Sequence, residues 1–248
     1  MKKIFSSEKS PLINLNTLSD LLVQFEIVDG AKMSLERALL NNVDIIELLP
    51  HEFRQLQQNG LLPSVDFKAS RIGLGDTLIK IATDRYKVVT ALADCVLFIL
   101  KKKQLPFEKH SSVMIVGSYD FVLSMSAKMA LSGYSKMILS IDQYDKTEEL
   151  KKVLTEFVFN LDLEFVRLSE LTLIQKTSSI LISNVCEQMS TEAFESLMYF
   201  NFASTGAIFF DFCSEENKSL VDEARRAGLQ VVEEIEILRV KYQSFLDI

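Results

Sequence analysis

The stretch SSVMIVGSYDFVLSMSAKMALSGYSKMILSID, residues Ser111–Asp142, decides the fold. Two short apolar runs, Val113–Val116 and Met137–Ile141, bracket a segment with Val122, Met125, Ser126, Met129 and Ala130 at helical spacing. Strand, tight turn, helix and strand within about thirty residues make a βαβ unit. On either side of it the chain keeps alternating. Downstream the pattern predicts helices over Lys146–Phe157, Thr191–Tyr199 and Glu216–Ala227, the last stopped by Gly228, and a final helix over Glu234–Leu246. Strands are predicted at Glu164–Leu168, Ser179–Ser183, Ala207–Cys213 and Leu229–Val232. Upstream, a helix opens near Ser10-Pro11 and runs to Val23, and another covers Ser34–Leu40. Strands are expected at Gln24–Asp29, Asn42–Leu49, Ile72–Ile81 and Tyr86–Val89, with a short helix from Pro50 and a connecting helix over Leu92–Lys103. Strands alternating with helices imply an α/β protein whose sheet is mostly parallel and covered on both faces.

Gly117 stands where the first strand of the unit turns into its helix, the place where a Rossmann-type fold receives a dinucleotide pyrophosphate. The glycine fingerprint is broken there: Ser118, Tyr119, Asp120 and Phe121 follow, and the next glycine is Gly133. The stretch therefore reads as a dinucleotide-binding scaffold whose phosphate cradle has been filled in.

Composition narrows the classes. With 248 residues the chain can form one large domain or two modest ones. The Pro106-containing segment Gln104–His110 is the natural linker. A net charge of −7 disfavours a non-specific nucleic-acid binder, which needs a positive footprint. The run Lys101–Lys103 reads as a solvated helix end. Cys95, Cys186 and Cys213 are few, odd in number and set in or beside apolar runs, as expected of small buried residues in a reducing compartment. No CxxC or Cys/His cluster suggests a metal. The opening MKKIFSSEKSPL lacks the apolar core of a leader, and the most apolar span, Val88–Leu100, is short for a membrane helix and contains Asp94. A cytoplasmic location is the expectation.

Taken in order, several landmarks resemble the shikimate dehydrogenase family along nearly the whole chain. Ser10-Pro11-Leu12-Ile13 resembles its SxSPxxHN opening, and Leu49-Pro50-His51-Glu52 its NVTxPxK segment. Ile72–Leu78 resembles IGAVNTV, and Val89–Phe98 resembles GxNTDGxGF. Asp211, Ala224, Gly228 and Ile237-Leu238 resemble the closing stretch. The resemblance implies two domains. Residues 1–93 would form an N-terminal α/β substrate-type domain, with the helix 234–248 packing back on it, and residues 94–233 a degenerate Rossmann NAD(P)-binding-like domain. In the family, NADPH and shikimate meet in the cleft between them, where a lysine and an aspartate handle the proton.

Carried over residue by residue, that pocket is largely rewritten. The family lysine falls on Glu52, which reverses its charge. The asparagine of IGAVNT falls on Asp76, the asparagine of NTD on Leu92, and the late glutamine on Lys241. Asp94 keeps the catalytic aspartate position, although a residue so near a helix start also suits an N-cap role. The SxS pair reads Glu8 and Ser10. Glu8, Glu52, Asp76 and Asp94, if they converge, would repel an anionic substrate. On the cofactor side GxGGA reads Gly117-Ser118-Tyr119-Asp120-Phe121, so Tyr119 would add bulk and Asp120 a charge. One such charge against the pyrophosphate costs on the order of 4 kcal/mol, about a thousandfold in affinity. Asp142 stands where NAD-preferring folds carry a ribose acceptor, and is equally a solvated loop residue. His51 and His110 have no sequence partners for catalysis.

The leading expectation is a shikimate-dehydrogenase-like pseudoenzyme without cofactor, serving as a protein-binding or regulatory module for a partner with a basic surface. One alternative is a divergent NAD(P)-dependent oxidoreductase that relies on Asp94. The other is a small-molecule sensor taking a cation or amine into an acidic cleft.

Overall fold

The computed structural model describes residues 1–6, 18–30, 34–61, 75–83, 85–103, 111–186, 189–213 and 217–247. The chain divides into two compact units, Met1–Cys95 with Leu238–Ile248, and Val96–Ile237. The division falls inside a helix, upstream of the Gln104–His110 segment, which lies outside the described residues.

Among the described residues the first unit holds a five-stranded mixed sheet. Its strands are β1 (Lys2–Ser6), β2 (Phe25–Asp29), β3 (Ile45–Glu47), β4 (Thr77–Ala82) and β5 (Arg85–Val89), in the order β2-β1-β3-β4-β5. β1 pairs parallel with β2 and β3, while β4 runs antiparallel to β3 and β5. Strand β1 was not expected. Its lysines mask a five-residue strand in which only Ile4 and Phe5 are apolar, and both are buried. Helix α1 (Ser19–Leu22) precedes β2, and α2 (Leu35–Leu40) and α3 (Pro50–Gln58) flank β3. Ser34 starts α2 by accepting from the Arg37 N–H at 3.3 Å. Proline at the first turn of α3 loses no hydrogen bond, because that N–H has no helical partner. Phe5, Ile46, Phe53, Leu78 and Val88 form the core, and Tyr86 reaches through it to donate to the Val43 carbonyl at 2.8 Å. Helix α4 (Ala91–Lys102) then leads into the second unit.

The second unit is built on β6 (Val113–Gly117), α5 (Tyr119–Leu131) and β7 (Lys136–Ile141), the βαβ unit read from the sequence. It continues with α6 (Thr147–Phe157), β8 (Asp162–Phe165), β9 (Ser178–Ser183), α7 (Thr191–Leu197) and β10 (Ala203–Asp211). Helix α8 (Lys218–Arg226) and β11 (Gln230–Glu233) follow, and α9 (Glu234–Leu246) returns to the first unit. The six strands pair in parallel in the order β11-β10-β9-β6-β7-β8. Every residue of β6 is buried, so both faces of the sheet are covered at its centre. Strand order reverses between β6 and β9, and the carboxyl ends of these two strands define the crevice where ligands of such sheets bind.

Strand ends depart from the expectations for local reasons. β10 begins at Ala203, with a register irregularity before Ile208, and stops at Asp211. β8 stops at Phe165, and Leu168–Leu173 winds into a 3₁₀ turn. β3 is three residues long because Asn42, in the left-handed region at φ 56°, turns the chain out of α2 first.

Phe209 on β10 is fully buried and meets Phe200 edge-on at 5.4 Å. Phe159 is 87% exposed. Urea unfolding should show Phe209→Ala losing about 3–5 kcal/mol, and Phe159→Ala losing under about 0.5 kcal/mol.

Candidate functional site

In the first unit Asp76 and Glu52, at two of the resembling positions, are turned onto the chain's own backbone. Asp76 precedes β4. Its Oδ1 accepts from Ala91 N at 2.7 Å and Thr77 Oγ1 at 2.8 Å, and its Oδ2 from Leu92 N at 3.0 Å. It thereby caps α4 from a distant strand, satisfying two of the N–H groups a helix start leaves open. Glu52 does the same service for α3: its Oε2 accepts from Leu49 N at 2.7 Å. Asp94 lies exposed in the first turn of α4, where its own N–H donates to Thr90 O at 3.0 Å. It is not the cap; Thr90 and Asp76 hold that end. Ser10 and Glu8 lie outside the described residues.

Lys241 comes from α9 and is buried. Its Nζ donates to Glu47 Oε1 at 2.5 Å, and Tyr242 OH donates to the same oxygen at 2.9 Å. Burial pulls the ammonium down, but Glu47 and Asp76 outweigh it and hold its pKa above the ordinary lysine value. Burial lifts the Asp76 carboxyl, against the pull of Lys241 and of its Leu92, Thr77 and Ala91 donors. The resembling positions thus include a buried cation, Lys241, in the field of the carboxylates Glu47 and Asp76. Cys95 nearby is buried, and that burial pushes its thiol up to about 12, leaving it inert at neutral pH. Glu47 escaped the sequence reading because it meets Lys241 and Tyr242 only through the fold.

In the second unit the head of α5 is closed by two side chains. Asn184 follows β9. Its Oδ1 accepts from Ser118 N at 3.1 Å, and its Nδ2 donates to Ser118 Oγ at 3.2 Å. Asp142 follows β7, and its Oδ1 accepts from Tyr119 N at 2.9 Å. Asp142 is exposed, and one of its oxygens caps the helix, where a negative charge is favoured. Gly117 has φ +153°, and a Cβ there would stand 1.7 Å from Asn184 Oδ1 and 3.4 Å from the Phe121 ring. Only glycine lets the Asn184 amide lie so close. Phe121 in turn meets Phe212 edge-on at 5.0 Å.

Tyr119 is buried, with Lys146 Nζ 5.2 Å from its ring centre. The space beside Gly117 is therefore taken by Asn184 and Phe121, not by Tyr119. Asn184 carries no sequence signal, since its partner is sixty-six positions away.

At the end of β10, Asp211 is fully buried and donors reach only one of its oxygens: Oδ1 accepts from Cys213 N at 3.0 Å, with Asn217 Nδ2 at 3.5 Å. Its Oδ2, and Asn217 Oδ1, have no partner among the described residues. Burial raises the Asp211 carboxyl to about 7, with Glu233 adding to the rise and the two donors opposing it. Among the described residues no group of three His, Cys, Asp or Glu could hold a metal ion, and no helix is long and apolar enough to cross a membrane.

No protein-family model and no curated protein matches this chain. Solved structures do. Quinate dehydrogenase from Corynebacterium glutamicum in complex with NAD is 12% identical, with a TM-score of 0.72, over 100% of this chain and 99% of that one. Shikimate 5-dehydrogenase from Listeria monocytogenes in complex with shikimate and NAD is 11% identical, with a TM-score of 0.70, over 98% and 89%. The Thermus thermophilus enzyme, in complex with NADP(H) and shikimate, is 15% identical, with a TM-score of 0.65, over 98% and 90%. At such identities the likeness is one of fold: the chain has the fold of the shikimate and quinate dehydrogenases, as its landmarks implied.

Two outcomes follow. Lys241→Met should cost about 3–5 kcal/mol in urea, because it strands a buried carboxylate, and adding Glu47→Gln should return more than half of the loss; a single-variant loss under about 1 kcal/mol would contradict a structural ion pair. For Asp211 the folded pKa lies above the unfolded value of 3.8, so the folded state holds the extra proton. Stability should fall as pH rises from about 4 to about 7 and level off above, by up to roughly 4 kcal/mol. Asp211→Asn should flatten that slope in pH-dependent unfolding.

Proposed function

We propose that this chain is a catalytically silent relative of the shikimate dehydrogenases, kept as a protein-binding or regulatory module. The observation that carries the reading is the closed head of α5: Ser118 N and Tyr119 N, which a dinucleotide diphosphate would need, already donate to Asn184 and Asp142. Those residues do not fit a diphosphate, whose charge would also meet the Asp142 carboxylate. The substrate side supports the same reading. Glu52, at the family lysine position, accepts from its own helix, and Lys241 is held by Glu47. A net charge of −7 favours a partner with a basic surface. The one observation favouring a divergent NAD(P)-dependent oxidoreductase is Asp94, exposed at the family's aspartate position.

Calorimetric and thermal-shift titration of the wild type with NAD⁺, NADP⁺ and shikimate separates the two. No binding at about 1 mM and no nicotinamide reduction is the expected result. Micromolar affinity for either nucleotide, or turnover of shikimate, would overturn the proposal.

A further inference from the structure

We infer that Asn184, together with Asp142, is what keeps a diphosphate out of the crevice between β6 and β9, the pair acting as its built-in substitute. This rests on the reading of the chain as cofactor-free, and assigns that exclusion to particular atoms. An amide oxygen and a carboxylate oxygen stand on the two successive N–H groups at the head of α5, as two phosphate oxygens would. Asn184 is fixed on three sides. Its N–H donates to Val116 O at 3.2 Å, its carbonyl accepts from Cys213 Sγ at 3.3 Å, and its amide clasps Ser118. An acceptor tethered in this way competes with a free ligand at an effective concentration on the order of millimolar. It also occupies the surface of Gly117, where the backbone is bare enough for close approach.

The rival assignment is the sequence-evident one, the bulk of Tyr119 and the charge of Asp120. The Tyr119 ring is buried beneath Lys146, so its removal opens the interior and not the face of Gly117.

The test compares variants of the full chain, with ADP and NAD⁺ as probes in calorimetry and circular dichroism to confirm the fold. Asn184→Ala/Asp142→Ala should bind at least tenfold more tightly than the wild type and reach a dissociation constant below about 1 mM. Asn184→Ser alone, the milder change, should move in the same direction. Tyr119→Ala/Asp120→Gly should remain without binding. Failure of both Asn184 variants to gain affinity while folded, or a gain confined to the Tyr119/Asp120 variant, would overturn the inference. Tight binding by the wild type would instead defeat the reading beneath it, so the two failures are distinguishable.

Discussion

A helix leaves its first N–H groups without internal partners, and this chain satisfies them with its own carboxylates and amides. The constraint recurs at three helix starts. Asp76 holds α4, Glu52 holds α3, and Asn184 with Asp142 holds α5. Once the acceptors come from within, a ligand has to displace a bond already made in place of filling a vacancy.

Lys241 belongs to the same logic with the sign reversed. A buried ammonium demands a buried carboxylate, and Glu47 and Asp76 supply the field that keeps it charged. Lys2 adds a further tie from β1, donating to the Phe245 and Leu246 carbonyls at 2.8 and 3.2 Å. Lys2 at the carbonyl end of α9 and carboxylates at the start of α3, α4 and α5 follow the helix dipole. These charges hold secondary structure in place.

The architecture was legible where the signal is local. The runs around Gly117 and the helical spacing of Val122, Met125 and Met129 give the parallel unit directly, and both strands and the helix stand close to where they were read. Strand β1 was hidden because two of its five residues are lysines. The site was legible only as a list of altered positions. What the alterations do depends on pairs that sequence separation conceals: Lys241 with Glu47 lie 194 apart, and Ser118 with Asn184 lie 66 apart. Asp142 was picked out by its place after β7, but its hydrogen bond to Tyr119 N carries no sequence signal. Tyr119 and Asp120 drew attention because they replace glycines, whereas the space beside Gly117 is taken by Asn184 from another loop and by Phe121.

The most direct measurement is the position of the Ser118 and Tyr119 amide resonances in a ¹H–¹⁵N spectrum as ADP is added to the wild-type protein. Both should stay where they are up to about 10 mM nucleotide, because their hydrogens are already bound. A saturable shift of either one at lower concentration would show that phosphate reaches the head of α5, and would contradict the self-capped crevice.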